Sequence, residues 1–374
     1  MIYIMKILHI GLSETLGGIE RFLVNVYNNK SDDISMDFIT KADHFRYDFS
    51  SMIPDDKDYR IFHIAKLSSP FRYVFDIYRI IKKNHYDIIH IHKNSLANPL
   101  EIIAAKLAGS SAIIIHSHNT QPSGHRRVGV LLHDINKAWV PYLATKRLAC
   151  SELAGEWLFP SYTTYQVIHN AINLDDFCYK PDIRNQKRQE FGLEDCFVIG
   201  SVARISDQKN QLFMLDIIKY VRDHLKKVRL LLIGGTSETE EGRIYFKKLN
   251  QKIDDLHLRN YVKVFGSRDD VKDLYQVFDV YLQPSKYEGL CISVIEAQAS
   301  GLPCIVSDAL SEETKVIDEY TTLSLNQSAE TWGKAILAMQ DAPRLNQKDN
   351  LGRAGYSMHK EISMLESIYR SLVG

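Results

Sequence analysis

The sequence predicts two α/β domains, each with a parallel β-sheet that is covered by helices on both faces. The chain has 374 residues, which is more than one hydrophobic core usually supports. Short apolar runs of strand length alternate with amphipathic stretches, a pattern typical of parallel sheets. The strand-like runs are Lys6–His9, Ile88–His92, Ile113–His116, Val198–Ala203, Leu230–Ile233, Val262–Phe265, Val280–Gln283 and Cys304–Ser307.

The two halves of the chain begin alike. Ile7–Ile10 leads into the turn Gly17-Gly18, and Val198–Ala203 leads into the turn Asp207-Gln208-Lys209. Two similar halves imply two facing sheets, and ligands of open parallel sheets bind at the carboxyl ends of the strands. We therefore expect the chemistry in a cleft between the two halves.

The domain boundaries follow from the spacing of these runs. We assign residues 1–175 to a first domain and residues 190–355 to a second. A charged stretch, Asn173–Glu194, is the best candidate for the linker between them. Helical periodicity near the end of the sequence predicts a C-terminal helix within 356–374, which can cap either domain and so can cross back to the first.

The charge balance excludes one class of protein. The chain carries 46 basic and 46 acidic residues, whereas a dedicated nucleic-acid binder depends on excess positive charge. The segment Arg60–Cys150 is an exception, with thirteen basic residues against four acidic ones, a difference of +9. These charges are either solvated helix faces or the contact for an anionic partner, such as a membrane surface or a phosphorylated acceptor.

One stretch of the basic segment is also apolar. Arg126-Arg127 opens a run that contains valine, leucine and isoleucine and ends near Trp139 and Tyr142. A basic helix with an apolar and aromatic face can lie on an anionic membrane. A helix that packs on the first domain is an equally good interpretation.

Cysteine usage and the start of the sequence predict the compartment. The five cysteines form no CxxC pair, which is typical of small core residues in a reducing compartment. The first ten residues lack a basic leader and a small-residue cleavage site, and no apolar stretch is long enough to span a membrane. We expect a cytoplasmic protein that can lie peripherally on the inner face of the membrane.

The most informative segment begins at Glu288. Its apolar spacing predicts a helix that starts after Glu288, contains Glu296 and ends at Gly301. Unpaired backbone NH groups at a helix N-terminus bind anions, and Gly289 and Leu290 would let a diphosphate approach closely. Two carboxylates beside an anion site need hydroxyl partners, such as a ribose and a sugar. The alternative is a dipole-favoured Glu followed by a solvated one.

The pattern of two glutamates eight positions apart, followed by Gly301-Leu302-Pro303, resembles the signature of glycosyltransferase family four. That family contains retaining enzymes with the GT-B fold, in which two Rossmann-like domains face a cleft. The resemblance implies that Glu288 contacts the donor sugar and that Glu296 contacts the ribose. It also implies an acceptor-binding first domain and a second domain that binds the nucleotide-sugar donor.

Three further groups match the family pattern. Arg204 and Lys209 resemble the pair that clamps the donor diphosphate, and their fixed positive charges would stabilise the leaving group without a metal. Gly17-Gly18 resembles the glycine-rich turn that faces the phosphates. His118 falls where the family places a histidine beside the donor sugar. Without the resemblance, Arg204 and Lys209 are interpreted as a solvated turn and helix start.

No cofactor is expected, because the nucleotide sugar is a substrate. His90 and His92 share one sheet face, as do His116 and His118, so a metal site is conceivable. We interpret them as hydrogen-bonded core histidines, since no carboxylate or cysteine lies at ligand spacing. Asp56-Lys57-Asp58 has the form of a metal-binding Asp-x-Asp, but it is interpreted as a solvated loop.

The resemblance is strongest to bacterial enzymes that build capsular or exopolysaccharide units. It implies transfer of a hexose or N-acetylhexosamine, with a UDP-sugar favoured as donor, to a lipid-linked glycan acceptor. One alternative is a nucleotide-sugar epimerase of the same fold, which would change the donor sugar without an acceptor. A second is a non-catalytic nucleotide-sugar binding protein, which would release no product.

Overall fold

The structure is a computed structural model that describes residues 3–45, 47–53, 58–119 and 127–374. The chain divides into two compact domains. Domain 1 comprises Met1–Ala171 and Met358–Gly374, and domain 2 comprises Ile172–Ser357.

Domain 1 contains seven strands and six helices among its described residues. The strands are β1 (Met5–Leu12), β2 (Ile34–Thr40), β3 (Ile61–His63), β4 (Ile88–Lys93), β5 (Ala112–Ser117), β6 (Lys146–Ala149) and β7 (Gln166–Val167). The helices are α1 (Gly18–Asn29), α2 (Pro70–Asn84), α3 (Leu100–Leu107), α4 (Arg127–Lys137), α5 (Glu152–Leu158) and, at the end of the chain, α14 (Met358–Val373).

Domain 2 contains six strands and eight helices. The helices that precede and join the first strands are α6 (Leu174–Phe177), α7 (Pro181–Phe191), α8 (Gln211–His224) and α9 (Glu240–Asp255), followed by α10 (Val271–Val277), α11 (Ile292–Ala299), α12 (Ala329–Leu337) and α13 (Lys348–Arg353). The strands are β8 (Phe197–Val202), β9 (Val228–Ile233), β10 (Val262–Gly266), β11 (Val280–Gln283), β12 (Cys304–Ser307) and β13 (Tyr320–Leu323).

Both sheets are parallel, and the first six strands of each have the same order. The order is β3-β2-β1-β4-β5-β6-β7 in domain 1 and β10-β9-β8-β11-β12-β13 in domain 2. In each, the chain reverses its direction of winding at the first strand of the domain, between β1 and β4 or between β8 and β11. Such a switch point is where open parallel sheets bind ligands, at the carboxyl ends of the strands.

Helices cover both faces of the first sheet. On one face, α2, α3 and α5 pack through residues such as Ile77, Ile102 and Leu158. On the other face, α1 and α14 pack through residues such as Leu23 and Leu365. The predicted class, with parallel sheets covered on both sides, is therefore confirmed.

The prediction of a linker at Asn173–Glu194 is wrong. The segment forms α6 and α7, which belong to domain 2. Its charges are used in packing: Arg184 donates to Asp279 at 2.5 Å, and Arg188 donates to the same carboxylate at 3.1 Å and is itself buried. Composition alone could not distinguish these packed arginines from solvated ones.

The C-terminal helix α14 lies in domain 1. Tyr369 is fully buried there, and Glu366 accepts from the backbone NH and the hydroxyl of Ser31 at 2.7 and 2.6 Å. Arg370 forms an ion pair with Asp33 at 2.5 Å. Of the two positions that the sequence left open, the helix occupies the one on the first domain.

None of the helices in the described part of the chain combines the length and the apolar character that crossing a bilayer requires.

Candidate functional site

The switch point of domain 2 brings Lys209 and Glu288 together. Lys209 ends a 3₁₀ turn, Asp207–Lys209, after β8, and Glu288 follows β11. The Lys209 ammonium forms an ion pair with Glu288, and the two side chains are only 14% and 9% exposed. Two residues that the sequence placed at one site are thus in contact at the end of the sheet where a ligand would bind.

Hydrogen bonds connect the loop that carries Lys209, after β8, with the loop that carries Glu288, after β11. Asn210 Nδ2 donates to the carbonyl oxygen of Pro284 at 3.1 Å, and the backbone NH of Lys286 donates to the carbonyl oxygen of Gln208 at 2.8 Å. Asn210 has a left-handed backbone with a φ of 59°, a conformation that asparagine tolerates better than most residues. The ion pair is therefore held by the loops that carry it.

A hydroxyl orients Glu288. Ser285 Oγ donates to Glu288 Oε1 at 2.7 Å, and Gln283 Nε2 donates to Ser285 Oγ at 2.6 Å. Ser285 is fully buried. Sequence reasoning missed Ser285 and Gln283, although their position directly between a buried strand and Glu288 is a usable signal.

Glu296 lies within α11, as predicted, and has a tyrosine partner. Tyr275 donates its hydroxyl to Glu296 Oε2 at 2.7 Å, and burial, with the Glu296 charge second, raises the pKa of Tyr275 well above its usual value. Sequence reasoning missed Tyr275. The helix itself begins only at Ile292, so Gly289 and Leu290 lie in the preceding bend and not in its first turn.

Arg204 lies two residues beyond β8, at the same edge of the sheet. Its side chain is exposed and forms no ion pair with the residues that the structure describes. Its backbone carbonyl accepts from Gln211 Nε2 at 2.9 Å, which fixes the turn. The guanidinium is thus available to an anion near Lys209 and Glu288.

The switch point of domain 1 holds a cavity of about 600 Å³. Its walls come mainly from the carboxyl ends of β1, β2 and β4 and from the residues that follow β1 to β5. Gly17, Gly18 and His118, which the sequence selected, all line it. So does Gly11, whose φ is 154° and where a Cβ would lie 2.7 Å from that of His92.

Glu20 shapes the glycine-rich turn. This carboxylate is buried and accepts from the NH groups of Ser13 and Gly17, each at 2.9 Å. It also accepts from Ser13 Oγ at 2.7 Å. Sequence reasoning did not select Glu20, although a Glu three residues after a helix N-cap has the spacing of a capping box.

A second buried charge pair lies in the cavity wall. Lys93 Nζ donates to Glu101 Oε2 at 2.6 Å and to the carbonyl oxygen of Asn98 at 2.7 Å. Tyr73 donates to Glu101 Oε1 at 2.5 Å, and Lys93 holds the pKa of Glu101 below its usual value despite burial. Sequence reasoning missed these residues too, and only Lys93, directly after the predicted strand-like run Ile88–His92, gave a signal.

Two family models match the chain. The description "Glycosyltransferase Family 4" matches residues 16–176, and "Glycosyl transferases group 1" matches residues 182–358. The chain belongs to the group 1 and family 4 glycosyltransferases. Its two parallel α/β domains are those of the GT-B fold.

This glycosyltransferase has relatives that match along nearly their whole length. It is 28% identical to EpsF of Bacillus subtilis, which is named as a glycosyltransferase, over 97% of this chain and 96% of EpsF. It is 27% identical to UDP-Gal:alpha-D-GlcNAc-diphosphoundecaprenol alpha-1,3-galactosyltransferase of Escherichia coli, over 99% and 97%.

A solved structure with the same fold is Anabaena HepE in complex with UDP. It superposes with a TM-score of 0.74 at 20% identity, and the match covers 98% of each chain. The complex of HepE with UDP-glucose gives a TM-score of 0.72 at 19% identity, again over 98% of each chain. At this identity the likeness shows the fold alone.

The cavity of the glycosyltransferase borders a cluster of five histidines, His9, His90, His92, His116 and His118. Three hydrogen bonds join their rings: His9 Nδ1 to His92 Nε2 at 3.0 Å, His92 Nδ1 to His118 Nε2 at 2.8 Å, and His90 Nε2 to His116 Nδ1 at 3.2 Å. The shared face predicted for each pair is confirmed. His9, on the neighbouring strand, was missed because it stands alone in its run.

Burial keeps these rings neutral. It lowers the pKa of His9 and of His118 to about 3, and it lowers the pKa of the other three well below the usual value. Three ring nitrogens of the cluster, His9 Nε2, His116 Nε2 and His118 Nδ1, are buried without a hydrogen-bond partner.

Two predicted features cannot be compared with the structure. Asp56 and Lys57 of the Asp-x-Asp sequence, and Arg126 of the basic stretch, lie outside the described residues.

Proposed function

We propose that the protein is a retaining glycosyltransferase that moves a hexose or N-acetylhexosamine from a UDP-sugar to a lipid-linked glycan. The observation that carries this proposal is the paired Lys209 and Glu288 at the switch point of domain 2. The proposal also draws on the relatives, one of which is named for UDP-galactose and a diphosphoundecaprenol-linked acceptor. Synthesis of a capsular or exopolysaccharide unit is the corresponding role.

Each selected site residue of domain 2 is proposed to contact one part of the donor. Lys209 and Arg204 bind the diphosphate, and their positive charges stabilise the negative charge that accumulates as the leaving group departs. Glu288 accepts from hydroxyls of the transferred sugar, while Glu296 accepts from the ribose. Gly289 and Leu290 let the protein backbone approach the diphosphate closely.

Domain 1 is proposed to bind the acceptor. Its cavity, at about 600 Å³, is large enough for a sugar and is lined by hydroxyl, amide and charged groups. Gly17 and Gly18 expose backbone at one wall, and His118 is proposed to contact the transferred sugar. Glu101 and Lys93 neutralise each other, so the wall suits polar, uncharged hydroxyls.

The reaction is proposed to take place on one face of the sugar. The bond from the anomeric carbon to the phosphate oxygen breaks, and the sugar becomes oxocarbenium-like. The acceptor hydroxyl attacks from the same face, and its proton passes to the departing phosphate oxygen. The anomeric configuration is retained without a protein nucleophile, and the cations of Arg204 and Lys209 take the part that a metal would play.

The proposal is tested by incubating the protein with UDP-, GDP- and ADP-sugars and a polyprenyl-diphosphate sugar acceptor. We expect one UDP-sugar to be consumed, with the same anomeric configuration in the product by NMR and unchanged turnover in EDTA. Donor without acceptor distinguishes the alternatives, because an epimerase would alter the sugar. A binding protein would bind donor and form no product with any acceptor.

We also propose a cytoplasmic location with peripheral contact to an anionic membrane. The contact is proposed because α4 has apolar residues on its exposed face and polar residues on its buried face. Val128, Leu131 and Ile135 are 67%, 59% and 53% exposed, whereas the polar His133 and Asn136 face inward and are buried. A helix that covers a core normally has the opposite arrangement. Its apolar face therefore suits an apolar partner.

The basic and aromatic residues at the ends of α4 favour a bilayer over a protein partner. Arg127 is exposed at the start of the helix, and Trp139 and Tyr142 are exposed beyond its end, where aromatic rings suit the membrane interface. The helix is also tied to the cavity wall, since His133 Nδ1 lies 3.2 Å from Ser95 Oγ. A lipid-linked acceptor could thus keep its lipid in the bilayer near the cavity.

Vesicle flotation tests this contact. We expect binding to phosphatidylcholine vesicles that contain phosphatidylglycerol, weaker binding at high salt, and loss of binding in a Leu131→Gln, Ile135→Gln variant. The matched control is Ile244→Gln, Phe246→Gln, which changes two exposed apolar residues of domain 2. Equal flotation of both variants, or none of the wild type, would exclude α4 as the contact.

A further inference from the structure

The histidine cluster of domain 1 contains a set of three that differs from ordinary core histidines. His92, His116 and His118 each offer a ring nitrogen, and these three atoms lie within 4.8 Å of one another. His118 is the least buried of the three and lines the cavity together with His92, so the set borders the cavity. Core histidines with no ligand role would need neither the convergence nor this position beside a cavity.

From this arrangement we infer that His92, His116 and His118 form a binding site for a divalent transition-metal ion of the zinc type. Imidazole nitrogens are preferred ligands of Zn²⁺, Co²⁺, Ni²⁺ and Cu²⁺, whereas Mg²⁺ and Ca²⁺ prefer oxygen. Three histidines with a fourth position open to a cavity are the ligand set of an open zinc site.

The outer hydrogen bonds, which are those made by the ring nitrogens that would not bind the metal, fit this assignment. A histidine that binds a metal usually donates its other ring NH to a neighbouring group. His116 Nδ1 can donate to His90 Nε2, and His90 Nδ1 in turn to the Tyr369 hydroxyl at 2.8 Å. This leaves the lone pair on His116 Nε2, a buried atom that has no hydrogen-bond partner.

The same logic holds for the other two ligands. His92 Nε2 can donate to His9 Nδ1, which leaves the lone pair on His92 Nδ1. His118 Nδ1 is buried without a partner and is free to bind. One assignment of the ring protons therefore satisfies the outer hydrogen bonds of His92 and His116 and leaves a lone pair on one nitrogen of each ligand. The lone pair of His92 Nδ1 accepts from His118 Nε2 at 2.8 Å until a metal binds.

Metal binding requires a small local movement. In a tetrahedral site with Zn–N bonds of about 2.0–2.1 Å, ligand nitrogens lie about 3.3 Å apart. The side chains must therefore draw together, and the metal replaces the hydrogen bond between His92 and His118. His118, at the cavity edge, has the freedom to make most of this movement.

The site would act on the transferase reaction through His118. A histidine that binds a cation cannot also contact the sugar, so we expect excess Zn²⁺ to lower turnover and EDTA to restore it. This consequence rests on the proposed function, whereas metal binding itself does not.

The test is titration of chelator-treated protein with Co²⁺, followed by visible absorption spectroscopy and calorimetry. We expect ligand-field bands of four- or five-coordinate Co²⁺ at one ion per chain, and their loss when Zn²⁺ is added. His116→Gln and His118→Gln should each abolish the bands. His118→Gln keeps the test decisive if the buried His116 variant does not fold.

Two further variants sharpen the result. His9→Gln removes an outer hydrogen bond and should weaken binding about tenfold or more without abolishing it. His224→Gln, on a helix of domain 2, is the matched control and should bind as the wild type does. The inference is overturned if the wild type gives no bands, if all variants bind alike, or if thiolate-to-cobalt charge transfer identifies cysteine ligands.

Discussion

The two domains share one strand order but present different chemistry at the same topological position. At its switch point, domain 2 has the charged pair of Lys209 and Glu288 with the exposed Arg204 nearby. Domain 1 has neutral histidines and a cavity at the corresponding place. Topology therefore fixes where a ligand binds, and the side chains that follow the strands decide which kind of ligand it is.

The surfaces of the two domains differ as well. Among the described residues, fifteen large hydrophobic side chains are exposed in domain 1 and only four in domain 2. The domain with the more apolar surface is also the one whose central segment is strongly basic. This combination is expected where one domain meets a lipid surface and the other binds a soluble nucleotide.

Acid should unfold domain 1 before domain 2. The folded-state pKa values of the five clustered histidines lie below the unfolded value near 6.5, so their contribution to stability is complete above pH 6.5 and is lost as the pH falls below it. For His9 and His118 the loss continues to about pH 3, and a histidine that is protonated only in the unfolded state lowers the free energy of unfolding by about 1.4 kcal/mol per pH unit.

Hydrogen exchange from pH 7 to pH 4 measures this effect in each domain separately. Domain 2 is an internal control, because none of its histidines is buried. Simultaneous loss of protection in both domains would show that the cluster does not control acid stability.

Removing either member of the Lys209 and Glu288 pair should affect catalysis in domain 2 strongly. We expect Lys209→Ala and Glu288→Ala each to lower kcat by about 10²–10³-fold, as for loss of one group that stabilises transition-state charge. Steady-state kinetics with the preferred UDP-sugar measures the loss, and circular dichroism checks the fold. Turnover like that of the wild type in either variant would remove that residue from the site.

A matched pair of glycines compares the packing of the domains. A Cβ on Gly200 would lie 2.2 Å from the ring of Phe278, which is fully buried in domain 2. A Cβ on Gly155 would lie 2.2 Å from the ring of Tyr165 in domain 1, which is only half-buried and can turn outward.

We expect Gly200→Ala to lower the free energy of unfolding by about 1–3 kcal/mol. Gly155→Ala should have a smaller effect, because a helical Ala regains about 1 kcal/mol over Gly. Urea unfolding of both variants measures the difference, and a larger loss for Gly155→Ala would contradict this view of the packing.

The smallest expected effects concern the two hydroxyls that orient the glutamates. Tyr275→Phe removes a hydrogen bond to Glu296, worth about 1 kcal/mol, and should raise KM for the UDP-sugar about fivefold with little change in kcat. Ser285→Ala frees Glu288 and should lower kcat by a similar factor. If Ser285→Ala changed only KM, the Ser285 hydroxyl would contribute to binding of the UDP-sugar and not to the transition state.

The sequence predicted the strands that are mostly apolar and missed strands such as β2 and β6, in which charged residues interrupt or replace the apolar run. β2 contains Asp37, which is buried because Arg60 and the Tyr86 hydroxyl pair with it at 2.5 Å each. β6 begins with Lys146-Arg147, which gives it no apolar run. Polar residues of this kind are buried only when a distant partner meets them, and spacing along the chain does not reveal that partner.

The candidate site shows the same division. Glu288, Glu296, Arg204 and Lys209 were selected because their pattern has a local signature. Ser285, Tyr275 and Glu20, which hold the glutamates and the glycine turn, were not selected, because a positioning residue is defined by what it touches. The residues that carry the chemistry of a site are thus easier to predict from a sequence than the residues that position them.

The return of α14 to domain 1 has a consequence for how the protein is made. Because this helix follows all of domain 2 along the chain, the ribosome must translate domain 2 before the first sheet receives its last covering helix. The face that α14 will cover, including His90 at its contact with Tyr369, stays open to solvent until then. The nascent chain is therefore expected to finish folding its second domain first, and a tag fused directly to α14 would interfere with the domain that was synthesised earliest.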